Sequence, residues 1–248
     1  MSTHANSSNR IVQSLWIDDE ITDLQRMCYN SFRAHGHLVK LYSYGQINNL
    51  PQGVVLCDAN EILPFDNVFR DQYNSYATFS DWFRIALLNA RGGWWVDSDV
   101  ICLKHFHLED DYAFATEQAD QNGNITICNA VIKSPANAPL LLGILADIGD
   151  LLKEKNTTDI QWTEIGAGLL TKHIVNENRQ ESVLDPAVFC PINFFDYKNM
   201  LTKEAKQLSE EAYAIHLWNK MWDWFGMEGN LNPAENSLMQ TLRRTYLS

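Results

Sequence analysis

No uninterrupted apolar run in this 248-residue sequence is long enough to cross a bilayer, and the opening residues 1–10 are polar, without the apolar core of a signal peptide. These absences predict a flexible leader over residues 1–10 and one domain over residues 11–248, placed in the cytoplasm, with peripheral contact at the inner membrane face left open. Positive charge is also scarce. Lys and Arg number 19 against 31 Asp and Glu, giving a formal net charge of -12. That balance excludes the broad basic footprint of a nucleic-acid binder, though not a local pocket for phosphate. The five cysteines, Cys28, Cys57, Cys102, Cys128 and Cys190, include no close pair with metal-site spacing. They read as buried free thiols in a reducing compartment. There is no internal repeat, coiled coil or low-complexity stretch. What remains is a chain that is 46% apolar, ample for the core of one large α/β domain.

The apolar pattern predicts strands at residues 11–17, 38–44, 94–96, 112–116, 125–133 and 214–218, and an apolar segment of open type at residues 53–57. Residues 188–195 read as a strand or extended segment around Pro191. Helices are expected at residues 24–34, 78–89, 140–153, 163–176 and 236–247, with Ser80 capping the second and Gly92-Gly93 ending it. Asn122-Gly123 signals a tight turn. A strand–helix–strand opening points to parallel pairing with crossover helices.

Asp97-Ser98-Asp99 is the most informative segment. Two acids close an apolar strand one residue apart, so both project to one side, about 6–7 Å apart. They are either solvated acids of an exposed turn or ligands of a hard divalent cation, which prefers oxygen. The second reading implies a partner with its own negative charge, such as a nucleotide diphosphate. Asp81 and Arg84 stand one helical turn apart upstream. They form either an ordinary surface ion pair, worth a few tenths of a kcal/mol, or one face of a pocket. Five further residues have equally plain alternatives. Trp16 is a core aromatic or a flat surface for stacking. His216 and Trp218 share one side of a strand, as a structural pair or around a ligand. Asn129 is a turn-proximal residue or a strand residue facing substrate, and Glu164 is a first-turn helix acid or part of a pocket.

The block Ser80-Asp81-x-x-Arg84 through Gly92-Gly93-x-x-x-Asp97-Ser98-Asp99 resembles the donor-site signature of DXD-containing glycosyltransferases of the family 32 type. These include capsule and lipopolysaccharide transferases and α1,4-galactosyltransferases, with the glucosylating clostridial toxin domains as more distant kin. The resemblance implies a GT-A-type, Rossmann-like α/β fold with a mixed central sheet and flanking helices. It implies a retaining enzyme that uses Mn²⁺ or Mg²⁺ to move a hexose or N-acetylhexosamine from a nucleotide diphosphate sugar, UDP-linked above all, to a glycan or lipid-linked glycan. Its site residues carry over as Asp81 and Arg84 for the donor sugar, Asp97, Ser98 and Asp99 at the metal and ribose, and Trp16 on the base. His216 and Trp218 would lie at the metal and diphosphate, and Asn129 and Glu164 on the acceptor side. A segment near residues 219–232 is expected to close over the donor as a lid. The sequence departs from the family pattern in having Trp94-Trp95-Val96 in place of a Tyr-rich strand, Ser98 in place of Thr, Asp18-Asp19 after the first strand in place of glycine, and Ala167 in place of proline. Three competing readings are a metal-dependent phosphohydrolase, a toxin-like transferase acting on protein, and a non-catalytic carbohydrate-binding protein.

Overall fold

The computed structural model describes residues 7–117, 119, 123, 125–202, 208–224 and 232–247. Strand β1 (Ile11–Leu15) leads through helix α1 (Asp23–Ala34) to β2 (Leu38–Ser43) and β3 (Val55–Asp58). Helix α2 (Ala77–Arg91) then feeds β4 (Gly93–Val96) and β5 (Val100–Cys102). Next come β6 (Ala113–Thr116), β7 (Ile127–Ser134), helices α3 (Pro139–Glu154) and α4 (Ala167–Asn176), β8 (Val183–Leu184) and α5 (Pro186–Phe189). Strand β9 (Ala214–His216) and helices α6 (Asn219–Trp224) and α7 (Leu238–Tyr246) complete the described chain.

Seven strands form a mixed sheet in the order β3-β2-β1-β4-β7-β6-β8, and β5 pairs with β9 in a second, two-stranded sheet. Strands β3, β2, β1 and β4 run parallel, whereas β7 is antiparallel to both β4 and β6. The chain steps from β1 out to β3, then returns to place β4 on the other side of β1. In an open α/β sheet, the crevice beyond the carboxyl ends of strands at such a reversal is where ligands bind.

Strand alternation assigns the two central tryptophans to opposite layers. Trp94 packs against Phe106 and Phe189 beneath α1 and the small sheet, while Trp95 packs against Phe83 beneath α2, α3 and α4. Helix α2 buries Phe79, Phe83 and Leu87, an i, i+4, i+8 stripe. It ends at Gly92 and Gly93, whose φ values are +63° and +85°; a Cβ on Gly92 would sit 2.7 Å from the backbone nitrogen of Ala136.

Several boundaries differ from expectation. Helix α2 begins at Ala77, so Ser80 lies inside it rather than capping it; Ser75 Oγ accepts from the Ala77 N–H and Asp71 accepts from the Tyr73 and Ser75 N–H groups. Residues 188–195 are not a strand. Pro186 and the Asp185 cap start α5, and the Asn193 side chain caps a 3₁₀ turn over Phe194–Leu201. The helix expected from residue 163 starts at Ala167, after Thr163 takes a positive φ of 68°. Strand β9 stops at His216, because Trp218 adopts φ 56°. Of the expected leader, residues 1–6 lie outside the described residues, and Asn9 accepts from the Trp94 indole and donates to Leu108 O. Asn122 of the expected turn also lies outside them. The five cysteines are free. No helix among the described residues is long and apolar enough to cross a membrane.

Candidate active site

After β4 the chain does not continue as a strand. The Val100 N–H bonds back to Asp97 O at 3.3 Å, so Asp97-Ser98-Asp99 is a turn carrying the chain from the large sheet into the small one. This corrects the strand-based spacing: ligand atoms of Asp97, Asp99 and His216 all lie within 4.8 Å of one another.

The side chains come from α2, the acidic turn, β7 and β9. Arg84, buried on α2, places Nη1 2.6 Å from Asp81 Oδ1 and donates from Nη2 to Asp97 Oδ1 at 2.9 Å. Asp97 Oδ1 also accepts from the Trp95 indole at 2.6 Å, because Trp95 and Asp97 point to the same side of the chain. Asn129 on β7 donates to Asp81 Oδ1 at 2.8 Å. On the other layer, Asp99 Oδ2 accepts from the Asn219 backbone N–H at 2.8 Å and lies 3.3 Å from His216 Nε2. The Asp81–Arg84 pair is therefore no surface ion pair. Its guanidinium is forked between two carboxylates with 5% of the side chain exposed, where losing one partner costs about 3–5 kcal/mol.

The electrostatics separate the acids. Burial pushes the Asp81 carboxyl up to about 6, despite the opposing Arg84. Burial also raises Asp97, again against Arg84. Burial would raise Asp99 as well, but His216 and the Asn219 N–H outweigh it and hold this carboxyl below the ordinary range. His216 is the counterpart: burial disfavours its charge, yet Asp99 pushes its pKa well above the usual value. Two carboxylates and an imidazole within 4.8 Å form a donor set that fits Mn²⁺ through oxygen and nitrogen, or Mg²⁺ through the oxygens.

The remaining expected residues are distributed around this centre. Trp16 follows β1, donates its indole N–H to Glu20 O at 2.9 Å, and lines a cavity of about 250 Å³ with Thr22, Asn219, Trp222, Met239 and Arg243. Asn219 joins that cavity to the acidic turn, since its backbone holds Asp99. The Trp218 ring lies 4.0 Å from the His216 ring, centroid to centroid, and its N–H donates to Ile192 O. Ser98 sits half-buried in the turn. Glu164 is the outlier: its carboxylate is taken by Lys155 at 2.5 Å and by the Gln161 N–H at 2.9 Å. Of the expected lid, residues 225–231 lie outside the described residues. Trp222 is buried, and Trp224 meets Tyr73 and Trp162.

Sequence reasoning missed three contributors. Glu117, just after β6, is held above the ordinary carboxylate range by burial, with the charge of His216 opposing. A solitary Glu before an Asn-Gly turn carries no periodic signal. Trp95 was read only as a strand aromatic, although its offset of two from Asp97 could have suggested the hydrogen bond. Gly166, just before α4, abuts the site: a Cβ there would lie 2.6 Å from Asp81 Cγ and 2.7 Å from Asn129 Nδ2.

Two solved structures share this architecture. The PaToxG glycosyltransferase superposes with a TM-score of 0.52 at 16% identity, covering 69% of this chain and 70% of that one. The ligand-free glycosyltransferase domain from the YGT toxin gives 0.50 at 9% identity, covering 72% and 80%. At such identities the likeness is one of fold: a mixed α/β, glycosyltransferase-like architecture with a largely parallel central sheet. No curated protein sequence matches the chain. Residues 63–207, more than half of the sequence and including α2, the acidic turn and Asn129, match the family described as capsular polysaccharide synthesis protein, and the chain belongs to that family.

Proposed function

We propose that this protein is a metal-dependent, retaining glycosyltransferase of the DXD type. It moves a hexose or N-acetylhexosamine from a UDP-linked donor to a hydroxyl of a glycan or lipid-linked glycan. The observation that carries the reading is the linked chain Asn129–Asp81–Arg84–Asp97, meeting Asp99–His216 at the carboxyl ends of β1 and β4. The glycosyltransferase-like fold and the capsular polysaccharide family support it.

In this mechanism Asp97, Asp99 and His216 would hold the cation. When bound, it neutralises charge gathering on the departing diphosphate. Trp16 flanks the base in the cavity beyond β1, and Asn219 ties that cavity to the metal end. Asp81 accepts hydrogen bonds from sugar hydroxyls. Arg84 keeps Asp81 and Asp97 at a fixed spacing, so the donor meets a preorganised charge pattern rather than one it must assemble. Trp218, its ring tilted against that of His216, keeps bulk water from the phosphates.

The test is turnover of a panel of UDP- and GDP-sugars with glycan acceptors, with Mn²⁺ or with chelator, and proton NMR of the new linkage. Metal-dependent transfer with retained anomeric configuration is expected. Phosphate release from nucleotides without sugar transfer would instead identify a phosphohydrolase, and glycan binding without turnover a carbohydrate-binding protein.

A further inference from the structure

His216 faces two groups of possible ligands. One is the acidic pair already described. The other consists of Cys128 on β7 and Cys190 just after α5, which with His216 form a second set whose ligand atoms all lie within 4.8 Å. Both thiols are free and almost fully buried, Cys128 at 2% and Cys190 at 1% exposure. We propose that Cys128, Cys190 and His216 form a site for Zn²⁺, and that filling it withdraws His216 from the acidic pair.

Three features carry this. The first is donor chemistry: two sulfurs and one imidazole nitrogen suit zinc, whereas oxygen-rich sets suit Mn²⁺ and Mg²⁺. The second is distance. Tetrahedral zinc with bonds of about 2.3 Å to sulfur places its ligand atoms about 3.8 Å apart. A set already within 4.8 Å closes around the ion with a movement of about 1 Å or less. The third is the histidine itself. Its Nε2 lies 3.3 Å from Asp99 Oδ2, while Nδ1 is buried with no hydrogen-bond partner among the described residues. An imidazole that donates one N–H to a carboxylate and turns its other nitrogen to a metal is the usual arrangement of zinc-bound histidine.

The exclusivity follows from the tautomer. A neutral imidazole has one lone-pair nitrogen and one N–H. With Nδ1 on zinc, Nε2 carries the proton and donates to Asp99, so it cannot ligate a cation in the acidic turn. Zinc binding also converts both thiols to thiolates and takes the Nδ1 proton of the His216 imidazolium, so three protons pass to solvent. Zinc occupancy and Mn²⁺-dependent transfer are therefore alternatives. The zinc site stands on its own geometry; only its effect on transfer rests on the function proposed above.

The experiment is a Co²⁺ titration of the full, reduced chain, read by sulfur-to-cobalt charge-transfer absorption in the near ultraviolet. Expected are saturation at one equivalent, displacement by Zn²⁺, loss of the band in Cys128→Ser/Cys190→Ser, and its retention in Cys28→Ser. A chain with five free thiols and no such band overturns the proposal. So does a band that survives in the double variant, or a Cys128–Cys190 disulfide in protein purified under reducing conditions. Should the double variant not fold, the wild-type spectrum and native mass spectrometry for one bound zinc decide the matter. Zn²⁺ should inhibit Mn²⁺-dependent turnover of the wild type but not of Cys128→Ser. Equal inhibition of both removes the competition, and absence of turnover with every metal counts against the transferase reading while leaving the cobalt result in force.

Discussion

Replacing Gly166 by alanine tests whether the donor-sugar corner is as tightly built as its geometry indicates. The new methyl would lie 2.6 Å from Asp81 Cγ and 2.7 Å from Asn129 Nδ2, where relaxed contacts are about 3.5–4.0 Å. The two side chains must therefore retreat by about 1 Å. A free side chain would do so at little cost, but Asp81 is held by Arg84 at 2.6 Å and by Asn129 at 2.8 Å. A retreat on that scale breaks at least one of these bonds. Arg84 keeps Asp97 as a partner, so the expected loss lies below that for stranding a buried charge, at about 2–3 kcal/mol. For a chain of this size that lowers Tm by about 4–12 °C. The assay is a double-mutant cycle by urea denaturation with Asp81→Ala, which removes the obstructing carboxylate and frees the Asn129 amide to turn away. In that background Gly166→Ala should cost under about 1 kcal/mol, leaving a coupling of 1 kcal/mol or more. Equal losses in both backgrounds would refute the reasoning, because the damage would then not pass through Asp81.

Other consequences follow from the same geometry. Asp81 titrates at about 6 in the fold against an ordinary value of 3.8, so the folded state binds more protons than the unfolded state between those values. Its contribution to stability is therefore greatest below pH 4 and is lost as pH rises through about 6, a swing of about 3 kcal/mol. Urea melts at pH 4 and pH 7 should show a smaller decline for Asp81→Asn than for the wild type; an unchanged slope would remove burial as the cause. Arg84→Lys keeps the charge but not the planar fork. It should lose about 2 kcal/mol of stability and at least tenfold in kcat, whereas wild-type kcat in that variant would mean the bridge is only structural. Trp16→Ala should raise KM for the nucleotide sugar about tenfold with kcat little changed, as loss of one stacking contact predicts; an effect confined to kcat would move Trp16 away from the base.

Helix α2, the glycine link and the acidic pair were legible because local rules carry them: an apolar stripe, two glycines at positive φ, and acids after an aromatic strand. Position 80 misled because Ser and Asp suit a first turn in general, yet the network on Asp71 starts the helix three residues earlier. The extended reading of residues 188–195 failed for a similar reason: the Asp185 and Asn193 caps outweighed an apolar run. Arg84 was placed one helical turn from Asp81, but its second partner, Asp97, depends on how α2 packs on β4. The meeting of Cys128, Cys190 and His216 leaves no spacing signal, because β7, the residue after α5, and β9 converge only in three dimensions. Glu164 had the composition of a pocket acid, and Lys155 took it locally.

The most direct measurement is calorimetric titration of UDP into the wild type and Asp99→Asn, each with Mn²⁺ and with chelator. Binding that needs the divalent ion in the wild type, and is lost in Asp99→Asn while its thermal unfolding stays cooperative, is the predicted result. Equal UDP affinity with and without metal, or undiminished metal-dependent binding in Asp99→Asn, would contradict the assignment of the acidic turn as the metal and diphosphate site.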